Sequence, residues 1–185
     1  RWERIEVLLH TEGKFLPDAP SRNVMGELRG RDLPDEIVVL GGHTDSWDVG
    51  QGAMDDAGGV VVSWEAVRLL KELGLRPRRT LRAVGWTNEE NGLRGGTAYA
   101  EDHAHERHVV AIETDGGVFS PQGFGFTGSD AAFAIVEEIG TLLEGIGAGQ
   151  IVRGGGGADI GPLMQTGVPG MGLNVDGTRY FWYHH

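Results

Sequence analysis

The chain has 185 residues, enough for one domain with a substantial core, and carries a formal net charge of −11 with a pI near 5.0. That charge excludes a nucleic-acid-binding surface, which needs clustered Lys and Arg. With no cysteine there are no disulfides or thiolate metal sites, and no apolar run is long enough to span a membrane.

In chain order, Arg4 to Leu9 alternates weakly and reads as a strand, as does Asn23 to Leu28. Glu36 to Leu40, with Ile37, Val38, Val39 and Leu40 in series, reads as a strand buried on both faces. Asp56 to Leu73 has a helical apolar period that includes Val61, Trp64, Leu70 and Leu73, which predicts that Trp64 and its apolar neighbours face the core. Gly74 stops that helix, with Pro77 beyond. Thr80 to Trp86 is a strand, Leu93 to Asp102 a helix, and Val109 to Thr114 a strand. Phe124 to Thr127 is a short strand, after which Ser129 or Asp130 caps a helix to about Leu143. Ile151-Val152, a helix from Asp159 to Gln165, and Val168 to Leu173 complete the pattern. Strands alternating with helices predict an α/β sheet covered on both faces.

Ligands of such sheets bind beyond the carboxyl ends of the strands. Three predicted strands end in acids or histidine. The strand to Leu40 runs into His43, Asp45 and then Asp55-Asp56; the strand to Trp86 runs into Glu89-Glu90; the strand to Thr114 runs into Asp115. So many carboxylates on one rim repel one another unless cations neutralise them. Histidine with Asp and Glu, and no Cys, suits zinc, with manganese or cobalt as lesser options. Two Zn²⁺ would balance the ligating acids and leave one Glu as a base.

The strings "GGHTDSWDVGQGAMDDAGG", "WTNEE", "ETDGG" and "YFWYHH" resemble those of the di-zinc exopeptidases of the aminopeptidase type, over nearly the whole chain. The resemblance implies a three-layer α/β fold, with a mostly parallel mixed sheet flanked by helices. It implies two Zn²⁺ per chain, with His43, Asp55, Glu90, Asp115 and His185 as metal ligands and Asp55 bridging the two ions. Glu89 is the implied general base, and His184 is a candidate donor to the developing oxyanion. Asp45 is expected to hold the imidazole of His43, and the Asp55–Asp56 peptide is expected to be cis. The implied substrate is a short peptide, a dipeptide in particular; a homodimer is left open, and neither nucleic acid nor membrane is a partner. Residues 1–185 would form a partial catalytic peptidase domain. An N-terminal portion with a protease-associated insert and a set of closing C-terminal helices, both present in the family, are missing from it. The family's location is secreted, periplasmic or lysosomal, although no signal-peptide pattern opens this segment. The hydroxyl residue that precedes the late aspartate in the family is Ala158 here, before Asp159.

Other patterns carry less. His103, His105 and His108 are scattered in helical angle, and "HERH" lacks the four-residue spacing of the zincin helix. The run Gly154 to Gly157 lacks the Lys-Ser or Lys-Thr of a phosphate loop, and no Gly-x-Ser-x-Gly is present. Two rival readings remain: a non-enzymatic relative that serves as a binding module, and a one-zinc acyltransferase of the glutaminyl-cyclase kind.

Overall fold

A computed structural model describes residues 4–185. Its centre is a single seven-stranded sheet built from β1 (Val24–Leu28), β2 (Leu33–His43), β3 (Arg79–Trp86), β4 (Arg107–Glu113), β5 (Pro121–Thr127), β6 (Gln150–Arg153) and β7 (Gly170–Val175). The spatial order is β1-β3-β2-β4-β7-β5-β6. β2 pairs in parallel with β3 and β4, β4 with β7, and β5 with β6, whereas β1–β3 and β5–β7 are antiparallel. The sheet is therefore mixed and mostly parallel, as expected.

Four α-helices accompany it: α1 (Gly58–Glu72), α2 (Arg94–Asp102), α3 (Asp130–Gly140) and α4 (Gly161–Gln165). Ile37 and Val39 of β2, Val84 and Trp86 of β3 and Ala111 of β4 bury against Tyr99 and Ala100 of α2 and against Ile160 and Leu163 at α4. The opposite parity of β2 meets α1, since a Cβ on Gly42 would lie 3.0 Å from the Val60 nitrogen. Helices thus cover both faces. Among the described residues, no helix is long and apolar enough to cross a membrane.

Three expectations need correction. Arg4 to Leu9 forms no strand; its residues are exposed and pair with nothing in the sheet, so weak alternation without a partner strand is not enough. The apolar stripe expected to face the core from α1 is mostly on the outside: Val61, Trp64 and Leu73 are all exposed. The helix instead buries Gly59 and Ser63, small residues that let it sit close to the sheet. The helix expected to run from Ser129 to Leu143 keeps its Ser129 cap, whose hydroxyl accepts from the Ala132 N–H, but turns 3-10 over Thr141–Ile146.

Away from the carboxyl ends of the strands, Arg82 is buried and donates to Glu27, to the Tyr99 hydroxyl at 2.8 Å and to Glu106. His103 approaches Glu106 at 3.1 Å and His108 lies 2.9 Å from the Tyr99 hydroxyl, so these two histidines serve this network. The hydrogen bond from Arg82 holds the Glu106 pKa down to about 2, from 4.5. A depressed carboxylate pKa stabilises the fold above its unfolded value, and that contribution fades as pH falls from 4.5 towards about 2. Glu106→Gln should cost ~1.5–3 kcal/mol near neutral pH, the scale of a hydrogen bond to a charged group. Urea unfolding at several pH values checks it, because the difference from wild type should vanish at the acid end.

Candidate metal centre

The register of the sheet places the acids. His43 ends β2 opposite Trp86 of β3, and Gly41 sits opposite Glu113 of β4. Neighbouring strands lie about 4.8 Å apart. The segment after Trp86 therefore carries Glu89 and Glu90 to one side of His43, and the segment after Glu113 carries Asp115 to the other. Asp55 and Asp56 arrive from the turn Ala53–Ala57 that leads into α1, and the peptide between them is cis as expected.

Asp56 is fully buried beneath the cluster, where its carboxylate accepts the His43 N–H and the Gly59 N–H, each at 3.0 Å. A Cβ on Gly42 would stand 2.0 Å from that carboxylate, and one on Gly59 would stand 1.8 Å from the Thr114 carbonyl. The glycines of "GGH" and "DDAGG" are what allow the turn to close on the strand ends. Burial pushes the Asp56 pKa up to about 8.

Above it, His43 Nε2 lies 2.9 Å from Asp55 Oδ1, 3.4 Å from Asp115 Oδ1 and 3.9 Å from Glu89 Oε2. The other Asp55 oxygen is 2.8 Å from His184 Nε2 and accepts the Tyr180 hydroxyl at 2.5 Å. His185 Nδ1 lies 3.3 Å from Glu90 Oε1 and 3.2 Å from the Ser46 hydroxyl. Three sets of ligand atoms each fall within 4.8 Å of one another: His43 with Asp55 and Asp115, His43 with Glu89 and Glu90, and Asp55 with His184 and His185. Asp55 belongs to two of the three.

The polar atoms at the centre show what is needed there. His43 Nε2, Asp55 Oδ1, Glu90 Oε1 and Asp115 Oδ1 are all buried and none makes a hydrogen bond. Four buried, unsatisfied groups at close range are costly unless a cation accepts their lone pairs. Burial alone would lower the His43 pKa, but Asp115, Asp56 and the Asp45 carbonyl outweigh it and push it up to about 10. Burial also holds the Glu89 and Glu90 carboxyls above their usual range.

The sequence-derived set is therefore brought together in one place: His43, Asp55, Glu89, Glu90, Asp115, His184 and His185. Asp45 differs in the atom it uses. Its main-chain carbonyl lies 2.9 Å from His43 Nδ1, while its carboxylate accepts the N–H groups of Glu89 and Glu90 at 3.0 and 3.3 Å. The carboxylate thus anchors the loop of the acids, and the backbone orients the imidazole.

Some residues of the site were not found by sequence reasoning. Tyr180 and Ser46 each hold a member of the cluster from far along the chain, and although both stand in the strings quoted above, a hydroxyl among acids and histidines carries no metal-ligand signal of its own. Glu113 and Asp159 are buried nearby. Glu113 accepts the N–H groups of Ala158 and Ile160, at 2.8 and 2.9 Å, and both Asp159 carboxylate oxygens have no partner. Burial raises the two pKa values to about 7 and about 8. Glu113 sits inside "ETDGG", so the acid two residues before Asp115 was the available signal.

The chain is 48% identical to carboxypeptidase Q of Bos taurus over 187 aligned residues, covering 100% of this chain and 40% of that protein. The chain spans a similar share of the other carboxypeptidase Q relatives it matches, such as 39% of the Homo sapiens protein at 46% identity. Among solved structures, a peptidase M28 precursor from Shewanella amazonensis superposes with a TM-score of 0.81 at 37% identity, over 88% of this chain and 38% of that one. A zinc aminopeptidase of Bacillus subtilis shares the fold, with a TM-score of 0.65 at 24% identity over 88% of this chain and 43% of that one. Residues 23–185, which carry every strand and every site residue named above, match Peptidase family M28, and the chain belongs to that family.

Proposed function

We infer that the chain carries the catalytic centre of a zinc metallo-exopeptidase that hydrolyses short peptides, dipeptides among them. One observation carries the reading: Asp55 is shared between the His43–Asp115 group and the His184–His185 group, as a carboxylate bridging two cations would be. His43 and Asp115 would hold one zinc, Glu90 and His185 the other, and Asp55 both. Imidazole and carboxylate donors without thiolate suit that metal. When bound, a zinc pair supplies Lewis acidity and an acidified water at neutral pH. Glu89, placed against this centre but outside the ligand set, takes the water's proton and returns it to the leaving amine. Its raised pKa favours that exchange. The Asp45 carboxylate fixes Glu89 through its backbone N–H, while Asp56 fixes His43 in the same way. His184, partly exposed and 2.8 Å from Asp55, would donate from its imidazole to the substrate oxygen. The relative from Shewanella amazonensis is named a precursor, which supports an exported location for the parent protein.

Metal titration tests this proposal. Chelator-treated protein should lose dipeptide hydrolysis, and zinc should restore it with a break at two equivalents per chain. One equivalent, with cyclisation of an N-terminal glutamine, would favour the acyltransferase reading. No bound zinc would leave only a binding module.

A further inference from the structure

Asp55 can serve two ions only if its two oxygens face in different directions. An aspartate does not hold that orientation unaided, because the torsion that turns its carboxylate is broad. Each oxygen of an ionised carboxylate has two lone-pair sites, so a hydrogen bond can fix one oxygen and leave it able to bind a cation. The two Asp55 oxygens have different surroundings. Oδ1 is buried with no hydrogen bond, 2.9 Å from His43 Nε2. Oδ2 accepts the Tyr180 hydroxyl at 2.5 Å and lies 2.8 Å from His184 Nε2. Among the described residues, Asp55 is the one proposed ligand carboxylate that accepts from a hydroxyl.

The donor is itself held in place. Tyr180 lies in the 3-10 turn Gly177–Trp182, which follows β7. The Asp176 carboxylate caps that turn by accepting the Thr178 N–H at 3.1 Å, and the Asp176 N–H donates to the Ser120 carbonyl at 2.9 Å. The Arg179 guanidinium stands 5.7 Å over the Phe119 ring. The turn is thereby tied to the segment that leaves Asp115, so the hydroxyl and one ligand group share a support. The Tyr180 ring meets the His184 ring edge-on, with centroids 4.8 Å apart, and the Phe181 ring at 5.3 Å. His184 is the weaker anchor of Oδ2, because the proposed function asks its imidazole to donate to the substrate oxygen. Tyr180 has no such second task, and its hydroxyl makes this one hydrogen bond among the described residues.

We propose that Tyr180 is a positioning residue whose hydroxyl keeps Asp55 bridging, with Oδ1 toward the His43–Asp115 group and Oδ2 toward the His184–His185 group. The proposal rests on the peptidase reading and its two cations. Without the hydroxyl, the carboxylate is free to turn and give both oxygens to the ion held by His43 and Asp115. The second ion would then keep Glu90 and His185 and lose the ligand that it shares. Tyr180 therefore acts through Asp55 and not on the substrate.

Zinc titration of the full-length protein against a competing chelator tests this, with Tyr180→Phe beside wild type. Phenylalanine keeps the ring and its contacts with His184 and Phe181 and removes only the hydroxyl. Loss of a hydrogen-bond partner behind a metal ligand weakens binding by roughly 10–100-fold. The second equivalent should weaken by that factor, while the first is held as tightly as before. Cobalt(II) in place of zinc gives a further readout independent of turnover. Two cobalt ions joined by one carboxylate couple magnetically, and the variant at two equivalents should show the EPR signal of uncoupled ions. Wild-type affinity for both ions in the variant, or an equal loss of both, would overturn the role and leave the peptidase reading standing. A weakened second ion in a protein whose wild type hydrolyses no dipeptide would support the role and sink the peptidase reading. A single zinc on wild type would leave no bridge to hold and would overturn the proposal.

Discussion

Glu89→Gln should lower turnover of a dipeptide by roughly 10²–10⁴-fold, the range for loss of a positioned acid–base group, while zinc content stays at the wild-type level. The substitution keeps the size of the side chain and the backbone N–H that the Asp45 carboxylate accepts, so the loop should not move. What is lost is the ability to take a proton and return it. Of the acids at the centre, Glu89 is the one that the proposed function leaves outside the ligand set, and burial already raises its pKa. Dipeptide hydrolysis measured beside metal analysis decides the matter. Retained turnover would remove Glu89 from the role, and lost zinc would make it a ligand instead.

Asp55→Asn should act on the other half of the chemistry. The amide preserves the shape and can still accept from Tyr180, which donates to Asp55 at 2.5 Å. It removes the negative charge shared by the two ligand groups. Zinc should fall from two ions per chain to one at most, and turnover should drop by at least roughly 10²-fold, the loss that even supporting residues of a metal site can produce. The metal-free protein should not be destabilised, because one of several crowded, mutually repelling carboxylates has gone. Thermal melts with and without zinc separate these effects. A variant that still binds two ions would show that Asp55 does not bridge them.

The two substitutions differ in what they leave behind. Glu89→Gln should give a loaded, silent protein, and Asp55→Asn an underloaded one. The cluster explains why both can fold. Asp56, the acid whose carboxylate secures the turn to β2 and α1, is untouched in each.

Much of the site could be read because ligands gather where parallel strands end. Apolar runs located β2, β3 and β4, and their carboxyl ends pointed to His43, Glu89-Glu90 and Asp115 without any coordinates. The same logic failed for α1. Its exposed apolar residues Val61 and Trp64 fit a helical period, yet the buried face is marked by Gly59 and Ser63, which hydrophobicity does not single out. It failed again at Arg4 to Leu9, where strand-like alternation has no neighbouring strand to complete it.

By itself the sequence determined the α/β class, the acids and histidines that gather at the strand ends and the glycines that make room for them, because strand periods, donor chemistry and the lack of a Cβ are local properties. Only the tertiary structure decided which atoms are used. Asp45 turns its carbonyl to His43 and its carboxylate to the Glu89 loop, Tyr180 reaches Asp55 across 125 residues of chain, and Ser21 and Asn23 bind Thr87 across 66 and 64 residues. Those assignments depend on register and on chain crossings between distant segments, which residue type and spacing do not encode.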